Sequence, residues 1–562
     1  MASTSTKNKS AARFRIIQIT DVYKLDNFPS LKSLIKDKKT EQRILGGKTI
    51  SVLTGDFLAP YLLSSFDGGV GMMNMINKTP IDYLIWGNHE SDLSHLTVME
   101  REREYQGVWI NSNMKSHESF KNSKCQKEFE VIEVRSPDGT NRRKIGMIGV
   151  LTNDPKLHKA GAFGGATIDD PWECMKEYNE KLKDVYHCDM VLPLCHLYEY
   201  QDEKTCLEFD FPVILSGHDH HRVDRVVNGT RILKPGMDAN YAVILDLIWE
   251  SSESESIPTI KASTVFVSDF PPDAILKQEA AKAYSILDSL SKTHLSKVPE
   301  KFFPLSSIGV LETRVTMATY LCTQLRLALN LDTKNYGIEC DCVIIRGGKF
   351  RGERDYSELI FTLESLKTEF TKDEGVYIYS IPGHILQRGI QETWVFPNSA
   401  WMQCDDEVII DSNGKIDMIG NYSFDPEKIY RVGSFANLRK NRGGTPTFGQ
   451  YFKEHPEHLP DFDAGLTCHV LLMKLFAQDI WKRIWDVLDA DGDGVISPEE
   501  LKILDFDGDN KLSKSELRSA IGNLLGLSSV EGQDTFLEHV LDAGGDRNFN
   551  RKISLEEMNS KK

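Results

Sequence analysis

The sequence predicts an α/β (α+β) protein with two α/β regions and an all-α tail. Apolar, strand-like runs alternate with polar, helical stretches from about residue 12 to 265, and again from about 303 to 455. The C-terminal stretch instead combines helical segments with Asp-rich loops. Strands that alternate with helices are typical of sheets covered by helices, so we expect separate α/β domains before the tail.

Strand candidates in the first region almost all end in polar residues. They are Phe14–Ile19, Thr49–Leu53, Tyr83–Ile85, Lys144–Val150, Met190–Leu194, Val213–Leu215 and Ala242–Trp249. The polar clusters that follow include "TDVY", "TGD", "WGNHE", "PLCH" and "SGHDHH". Ligands of open α/β sheets bind at the carboxyl ends of strands. The pattern therefore predicts a polar site along one edge of the first sheet.

A chain of 562 residues is too long for one core. We expect a first domain at 12–268, a helical linker at 269–302 and a second α/β domain at 303–456. The linker prediction rests on "PPDAILKQEAAKAYSILDSLSKT", in which prolines precede an Ala/Lys/Leu-rich stretch. The all-α tail is expected at 466–562.

Composition excludes several classes of partner. The net charge of −16 argues against a nucleic-acid-binding surface. The sequence contains no run of 18 apolar residues, so it predicts no membrane-spanning helix. The N-terminal "MASTSTKNKSAARFRI" lacks the apolar core of a secretory signal. The ten cysteines are scattered, which favours a reducing compartment. We expect a cytoplasmic protein with no nucleic-acid or membrane partner, whereas the sequence leaves protein partners open.

The strand ends collect a set of metal-ligand side chains. Carboxylate, amide oxygen and imidazole together suit Mn, Fe, Co and Zn. Such a set holds two cations if one carboxylate bridges them, and each cation lowers the pKa of a bound water. The candidates are Asp21, Asp56, Asn88, His89, Asp92, His196, His218 and His220.

The order of these motifs resembles the calcineurin-like metallophosphoesterases, and "GNHESD" is similar to the 5′-nucleotidase branch of that family. The resemblance implies a four-layer α/β/β/α sandwich. It also implies phosphoester hydrolysis by a metal-bound hydroxide at two divalent or mixed-valence ions (Mn, Fe, Zn or Co). The expected substrate is a small phosphoester, with a nucleotide as the first choice.

The same resemblance implies roles for the individual residues. One metal would be held by Asp21, Asp56 and His220, and the other by Asp56, Asn88, His196 and His218, with Asp56 bridging. His89 would stabilise the transition state or protonate the leaving oxygen, oriented by Asp92.

Tyr23 departs from the family, which has a metal-ligating histidine at this position. A phenol with an ordinary pKa near 10 ligates well only if a cation drives its deprotonation. Tyrosinate binding a hard ion, a neutral tyrosine beside a weaker metal, and a one-metal slow or inactive site all remain open. Because the other ligands are intact, we favour a working site with Tyr23 as a ligand.

The middle region resembles the substrate-binding domain of 5′-nucleotidases in "GVLETRVTMATYLCTQLRLAL", "CDCVIIRGGKFRGERDYSELI" and "FDPEKIYRVGSFANLRKNRGG". Arginines clamp phosphate with two hydrogen bonds, and aromatic rings stack on bases. The resemblance is looser here, so a retained fold with a changed pocket is the alternative. The substrate-binding candidates are Arg314, Arg346, Arg351, Phe370 and Phe448.

Three segments of the tail match the twelve-residue EF-hand calcium loop. The first two match strongly, whereas the third has fewer acids and Arg551 at its turn. Spacing favours pairing of the second and third loops. The expected Ca²⁺ ligands are Asp489, Asp491, Asp493, Val495 and Glu500 in the first loop, Asp505, Asp507, Asp509, Lys511 and Glu516 in the second, and Asp546, Asn548, Asn550, Lys552 and Glu557 in the third.

Two classes of function remain. The first is a metallophosphoesterase of the 5′-nucleotidase type, tuned or stabilised by calcium. The second is a calcium-responsive binding protein on a catalytically degenerate phosphoesterase scaffold, which Tyr23 and the altered pocket favour. The intact His89–Asp92 pair favours the enzyme. Within that class, cyclic nucleotides or non-nucleotide phosphoesters are the alternative substrates.

Overall fold

The protein forms two compact units. The first contains the described residues up to Pro60 and from Gly68 to Ser285, and the second contains Tyr61–Asp67 and the described residues from Ile286 onward. Our computed structural model describes residues 9–559 except 123, 156, 159–160, 253–256, 290, 292–293, 334–338, 358–359, 395–400, 440–445, 463–464, 525–533 and 547–550.

The first unit is built on two mixed sheets. Its strands are β1 Ala12–Ile19, β2 Lys48–Leu53, β3 Tyr83–Ile85, β4 Val108–Ile110, β5 Gln126–Lys127, β6 Phe129–Arg135, β7 Arg142–Leu151, β8 Met190–His196, β9 Val213–Ser216, β10 Arg222–Val227, β11 Thr230–Pro235, β12 Tyr241–Trp249 and β13 Thr259–Phe266. One sheet has the order β13-β12-β1-β2-β3-β4-β5 and the other β10-β11-β9-β8-β7-β6.

Parallel pairing brings the functional strand ends to one edge of each sheet. Strands β1 to β5 of the first sheet pair parallel with one another, whereas β12 pairs antiparallel with β1. In the second sheet, β7, β8, β9 and β11 are parallel. Their carboxyl ends therefore lie side by side, as the sequence predicts. All seven predicted strand candidates are confirmed, each within a strand of the structure.

Helices pack against the sheets of the first unit, and one short helix before Ser289, Ser64–Asp67, belongs to the second unit. Up to Ser289 they are α1 Phe28–Ile44, α2 Ser64–Asp67, α3 Val70–Lys78, α4 His95–Glu104, α5 Ser119–Asn122, α6 Ala162–Gly165, α7 Pro171–Asp184, α8 Glu199–Glu208 and α9 Ala274–Ser289. Asp170 caps α7 by accepting N–H bonds from Trp172 and Glu173. The predicted helix in the linker is confirmed as α9.

The core of the first unit lies between the two sheets. Phe14, Ile16 and Val52 of the first sheet join one buried cluster with Ile145 and Leu192 of the second. A separate cluster packs α7 onto the outer face of the second sheet. The outer face of the first sheet is covered by α1. These layers make the α/β/β/α sandwich that the resemblance implies.

The second unit combines a four-stranded sheet with helices. Its strands are β14 His294–Lys297, β15 Leu305–Ser306, β16 Cys342–Arg346, β17 Asp355–Tyr356, β18 Ile360–Thr362, β19 Val376–Pro382, β20 Met402–Cys404, β21 Val408–Ile410, β22 Ile416–Ile419, β23 Tyr422–Ser423, β24 Ile429–Phe435, β25 Lys511–Ser513 and β26 Lys552–Ser554. The main sheet has the order β19-β24-β16-β20.

The remaining helices of the structure lie in the second unit, and one of them joins the tail to the rest of that unit. They are α10 Thr316–Thr333, α11 Leu363–Glu369, α12 Gly383–Thr393, α13 Pro446–Glu454, α14 Cys468–Leu488, α15 Pro498–Leu501, α16 Lys514–Leu524, α17 Asp534–Gly544 and α18 Leu555–Asn559. Helix α14 packs against both α10 and α17. The tail is thus part of the same compact unit as the second α/β region.

All ten cysteines are buried as free thiols. This agrees with the expectation of unpaired cysteines. Among the described residues, no helix has the length and apolar character needed to cross a membrane.

Candidate functional site

Two aspartates stand at adjacent strand ends of the first sheet. Asp21 follows β1 and Asp56 follows β2, and both are buried. Both also adopt left-handed backbone conformations, with φ of 51° and 56°. Such conformations are costly for non-glycine residues and cluster at functional sites, where the surrounding structure enforces them. The sharp turn after each strand aims both carboxylates at one point.

Asp56 lies at the centre of the cluster. Its Oδ1 accepts a hydrogen bond from the backbone N–H of His89 at 2.9 Å. Its Oδ2 lies 3.1 Å from Nε2 of His196 and 3.2 Å from the Tyr23 hydroxyl. Burial raises the pKa of Asp56, but the neighbouring histidines, His196 first, lower it more and hold it well below its usual range. Asp56 is therefore ionised and contacts both halves of the predicted ligand set.

His196 and His218 bring the second half of that set to Asp56. The ligand atoms of the three residues all lie within 4.8 Å of one another. The ring nitrogen Nδ1 of His196 lies 2.7 Å from the carbonyl oxygen of Thr54. This contact fixes Nδ1 as a protonated nitrogen and turns Nε2 toward Asp56, as carbonyl partners do for metal-ligating histidines.

Burial keeps two of the histidines neutral. It lowers the pKa of His218 well below its ordinary value and that of His220 to about 4. His196 differs: burial lowers its pKa, but Asp56 raises it more, to about 10. A divalent cation at Asp56 would replace that positive charge, and His196 would then bind as neutral imidazole.

Tyr23 belongs to the same cluster. Its hydroxyl lies 3.2 Å from Asp56 Oδ2 and 3.2 Å from Nε2 of His220. His220 Nε2 in turn lies 3.6 Å from Oδ1 of Asp21. Burial first, then the carboxylates of Asp56 and Asp21, raise the pKa of Tyr23 well above its ordinary value. Without a cation beside it, the phenol is neutral and its hydroxyl donates a hydrogen bond to Asp56.

His89 sits beside the cluster in a defined orientation. Its Nδ1 lies 2.7 Å from Oδ2 of Asp92, which leaves Nε2 as the functional end of the ring. Burial lowers the pKa of His89, but the charges of Asp56 and Asp92 raise it to about 9. The geometry brings together the predicted pair of a histidine and its orienting aspartate.

The cluster fits cations because it contains orphaned buried acceptors. Oδ2 of Asp21 is occupied by the Thr20 hydroxyl and the His218 N–H, yet its Oδ1 accepts no hydrogen bond from the described residues. The same holds for Oδ1 of Asn88 and both ring nitrogens of His218. Buried polar atoms without partners are costly, and bound cations would satisfy the two oxygens and the unprotonated ring nitrogen of His218.

Sequence reasoning missed Glu90, which braces the two loops that carry Asp56 and Asn88. Its buried carboxylate accepts four backbone N–H bonds. The donors are Asp56, Phe57, Leu58 and Gly87, at 3.0, 2.7, 3.1 and 2.7 Å. The only sequence signal is the glutamate of "GNHE", whose contacts need the folded loops to be seen.

Sequence reasoning also missed Lys234, a fully buried cation behind the histidine loop. Its Nζ donates to the carbonyl oxygens of Leu197 and Gly217 at 2.7 and 2.8 Å, and it pairs with Asp202 and Asp219. These contacts fix the backbone on either side of His218. A buried lysine in β11 leaves no periodic signal that marks this role.

Two glycines allow the loops to approach so closely. A Cβ on Gly87 would lie 2.1 Å from Oδ1 of Asp56, and a Cβ on Gly217 would lie 2.1 Å from the Thr20 hydroxyl. No side chain fits at either distance, so the "GNHE" and "GHDHH" loops require glycine at these positions.

The predicted substrate-binding residues of the second unit lie in different environments. The Arg314 guanidinium donates to the carbonyl oxygens of Val408, Cys404 and Asp405, so it stabilises that turn. The rings of Phe370 and Phe448 are 2% and 0% exposed and offer no open face for stacking.

The two remaining arginines of that prediction differ in exposure. Arg346 is 8% exposed at the end of β16, whereas Arg351 is exposed and donates to Gly348 O at 3.4 Å.

The first two acidic loops of the tail fold alike. In each, the carboxylate at position 1 accepts the backbone N–H of position 6: Asp489 from Gly494 at 3.1 Å and Asp505 from Asn510 at 2.9 Å. Carboxylate oxygens of Asp489, Asp491 and Glu500 gather within 4.8 Å in the first loop, and those of Asp505, Asp507 and Asp509 do so in the second. Oxygen clusters of this kind suit Ca²⁺.

The third loop repeats the same turn. Arg551 N–H donates to Asp546 at 2.9 Å. Strands β25 and β26 pair antiparallel, which confirms the predicted pairing of the second and third loops. Lys552 forms ion pairs with Asp507 and Asp509 of the second loop. The predicted ligands Asn548 and Asn550 lie outside the described residues; Val495, Lys511 and Glu516 lie in the first two loops.

Comparison with known proteins finds similarity in the first unit. Residues 14–222 match the Calcineurin-like phosphoesterase family. A 5′-nucleotidase of Vibrio vulnificus is 26% identical over 200 residues, which are 35% of this chain and 35% of that protein. A 5′-nucleotidase of Vibrio cholerae is 26% identical over 172 residues, 30% of each chain. The chain thus matches about a third of the length of these curated relatives.

The fold similarity extends over most of the chain. The NAD nucleotidase of Haemophilus influenzae has a TM-score of 0.60 at 15% identity, covering 82% of this chain and 95% of that one. At this identity the similarity establishes the mixed α/β fold alone. The cluster at Asp56, with Tyr23 beside it, lies within the matched region.

Proposed function

We propose that this chain is a metal-dependent phosphoester hydrolase of the 5′-nucleotidase type. One observation carries the proposal: parallel strand ends bring Asp56, His196 and His218 to within ligand distance of one another, next to Asp21 and His220. The match of residues 14–222 to a phosphoesterase family supports the same reaction class.

Two groups of side chains would hold two divalent or mixed-valence cations of Mn, Fe, Zn or Co. Asp21, Asp56 and His220, with Tyr23, form the first group. Asn88, His196 and His218 join Asp56 in the second. Bound at these positions, the cations would supply an activated water and charge neutralisation for the phosphoryl group.

The protein's own groups position and protonate the substrate. Asp92 holds His89 through Nδ1, so Nε2 faces the reacting phosphoester and can donate a proton to the leaving oxygen. The raised pKa of His89 keeps it protonated near neutral pH in the absence of cations. Attack of water on phosphorus breaks the P–O ester bond and releases phosphate and an alcohol.

The substrate class we propose is a small phosphoester, with nucleoside monophosphates first. Arg346 and Arg351 are the side chains of the second unit proposed to bind the substrate, because a guanidinium binds phosphate with two parallel hydrogen bonds. Base recognition is not assigned to Phe370 or Phe448, since both rings are buried. Non-nucleotide phosphoesters therefore belong in the same assay.

We further propose that the EF-hand loops of the tail bind Ca²⁺. The repeated turn and the gathered carboxylates support this proposal for the first two loops. For the third loop, support is limited to the Asp546 turn and the strand pairing with its neighbour. Calcium would stabilise the second unit and tune the enzyme.

The test measures bound metals and phosphate release from nucleotides and simple phosphoesters, with the parent protein beside three variants. Asp56→Asn keeps the size of the side chain but loses its charge, so it should lose both metals and activity. Tyr23→Phe removes only the hydroxyl, and Tyr23→His restores the family ligand. Asp184→Asn on the exposed end of α7 serves as the matched control.

The outcomes separate the two classes of function. Activity that Asp56→Asn abolishes, together with iron that copurifies unless Tyr23 is replaced, would support a two-metal site with Tyr23 as a ligand. The contact of the Tyr23 hydroxyl with Asp56 and His220 favours the second candidate, a disabled site in a calcium-responsive binding protein. A parent that is inert with every metal, while Tyr23→His is active, would support that second candidate.

A further inference from the structure

The second unit contains a cluster of Asp373, Cys468 and His469. Each offers a ligand atom, and the three atoms lie within 4.8 Å of one another. Asp373 lies in the loop after α11, whereas Cys468 and His469 begin α14. Cys468 is 0% exposed and His469 is 4% exposed. The cluster lies far from Asp56 in sequence and shares no residue with the phosphoesterase set.

The backbone holds the two segments together. Cys468 N–H donates to the carbonyl oxygen of Glu374 at 2.9 Å, and Val376 N–H donates to that of Leu466 at 2.9 Å. His469 N–H donates to Oδ1 of Asp373 at 3.0 Å. The three side chains are therefore fixed by main-chain contacts, and a ligand would find them already in place.

The hydrogen bonding of His469 leaves a lone pair aimed into the cluster. Its Nε2 lies 2.9 Å from the carbonyl oxygen of Phe370, an acceptor, so Nε2 carries a proton. The other nitrogen, Nδ1, lies 3.4 Å from Oδ1 of Asp373 and makes no hydrogen bond with the described residues. In neutral histidine, a lone pair would thus face a carboxylate.

Two oxygens beside the cluster are also unsatisfied. Oδ2 of Asp373 and the hydroxyl of Thr467 are buried, and neither has a hydrogen-bond partner in the described part of the chain. Cys468 Sγ lies 3.7 Å from Oδ1 of Asp373, a long contact for a thiol donor. Buried acceptors without partners, next to three gathered ligand atoms, favour a positive charge at the cluster.

We propose that Asp373, Cys468 and His469 bind a zinc-type divalent cation. Thiolate, imidazole and carboxylate are the ligand types that zinc takes, usually in tetrahedral sites. One thiolate and one carboxylate balance a double positive charge, which lowers the cost of burying the ion. The partial positive charge at the start of α14 opposes a cation, but two full negative charges outweigh it.

A protonated His469 paired with Asp373 is the alternative that must be separated from this proposal. It would satisfy Nδ1 but leave Oδ2 of Asp373 and the Cys468 sulfur without strong partners. The cation would satisfy the sulfur, the imidazole and the carboxylate at once. It would also fasten the 370–375 loop to the start of α14, the helix that leads directly into the first calcium loop at Asp489.

Cobalt substitution of the full-length protein provides the test. Metals are removed with a chelator, and Co²⁺ is added in steps while the absorption spectrum is followed. A bond between Co²⁺ and a thiolate gives an intense charge-transfer band. The proposed phosphoesterase set has no cysteine, so we expect this band to report on Cys468 alone, saturate at one equivalent, and disappear when Zn²⁺ is added.

Three variants make the result decisive. Cys468→Ser should remove the band and one equivalent of bound zinc. Cys404→Ser, a buried cysteine in β20 outside the cluster, should retain both. Asp373→Asn keeps the acceptor for His469 N–H but removes the charge, and it should weaken zinc at least about tenfold while the band remains. If Cys468→Ser does not fold, the zinc affinity of Asp373→Asn, compared with that of Cys404→Ser, tests the site instead.

Opposite results would overturn the proposal. One such result is that the parent protein shows no thiolate band at a slight excess of Co²⁺. Another is that the band remains in Cys468→Ser. Unchanged zinc affinity in Asp373→Asn would equally exclude that carboxylate as a ligand. None of these readouts depends on phosphoesterase activity. The experiment therefore tests the zinc site independently of the proposed hydrolase function.

Discussion

A single carboxylate, that of Glu90, receives four backbone N–H groups from two loops. An amide in its place offers one acceptor oxygen and turns an NH₂ group toward two of the donors. We expect Glu90→Gln to lower the free energy of unfolding by about 3 kcal/mol, because buried donors left without acceptors cost about 1–3 kcal/mol each. Chemical denaturation measures this change.

The matched control for that experiment is Glu100→Gln. Glu100 lies on α4, only ten residues away, and is less buried than Glu90. Its substitution should change the free energy of unfolding by no more than about 0.5 kcal/mol. If the two variants were equally stable, Glu90 would not brace the loops. Metal content measured on the same samples should fall only in Glu90→Gln.

In the proposed mechanism, Asp92 acts through His89 and does not touch the substrate. We expect Asp92→Asn to lower kcat about tenfold with little change in KM, because the ring stays in place while the charge that favours its protonated form is lost. Steady-state kinetics on the best substrate measures both constants. A rise in KM at constant kcat would instead indicate a role in binding.

Residue identities at the strand ends were predictable because a strand end followed by Asp, Asn or His is a local pattern. The sequence located Asp21, Asp56 and His218 correctly at one cluster. It could not reveal Glu90 or Lys234, whose roles consist of contacts with backbone groups far away in sequence. It also could not show that Phe370 is buried, because an aromatic residue has the same local signal in a core and in a pocket.

At the scale of elements, the three proposed calcium loops differ in their turns. The sixth position is Gly494 in the first loop, Asn510 in the second and Arg551 in the third, with φ of 78°, 57° and 64°. A left-handed conformation costs a residue with a Cβ about 1–2 kcal/mol, and glycine almost nothing. The third loop is thus the one with the least favourable turn.

Arg551→Gly should therefore strengthen calcium binding by the third loop, by about fivefold to thirtyfold if the whole 1–2 kcal/mol is recovered. Calorimetric titration with Ca²⁺ measures the change. Asn510→Gly is the matched variant in the second loop, where the gain should be smaller because Asn tolerates this conformation. Weaker binding in Arg551→Gly would show that the arginine side chain itself supports the loop.

Strands with strong apolar runs were predictable as elements, whereas short or polar ones were not. All the predicted strands of the first unit are present, but β5 has two residues and β10 and β13 alternate exposed positions. These strands exist because neighbouring strands supply hydrogen bonds, and their own sequences carry little pattern. The order of strands in each sheet follows from the same long-range contacts.

At the scale of the whole molecule, two compact units predict two unfolding transitions. The proposed calcium loops all belong to the second unit. Calcium at about 100 times its dissociation constant stabilises a one-site protein by about 2.7 kcal/mol. We therefore expect calcium to raise the melting temperature of one transition in differential scanning calorimetry and to leave the other unchanged.

The control for this experiment is the double variant Glu500→Gln and Glu516→Gln, which removes the last ligand of the first two loops. Its calcium-dependent shift should be much smaller than that of the parent. If calcium shifted the melting temperature of one single transition, the two units would not unfold separately. If calcium shifted no melting temperature, the loops would not bind calcium.

The ten buried thiols have a consequence for the life of the folded state. While the chain is folded, all ten thiols are buried and unpaired. Unfolding of either unit exposes the cysteines of that unit, and thiolates then form disulfides that trap the chain. In air, heat inactivation should therefore be governed by the rate of opening, and the apparent melting temperature should rise with scan rate. The chain's shelf life is thereby a kinetic property, extended by a reductant.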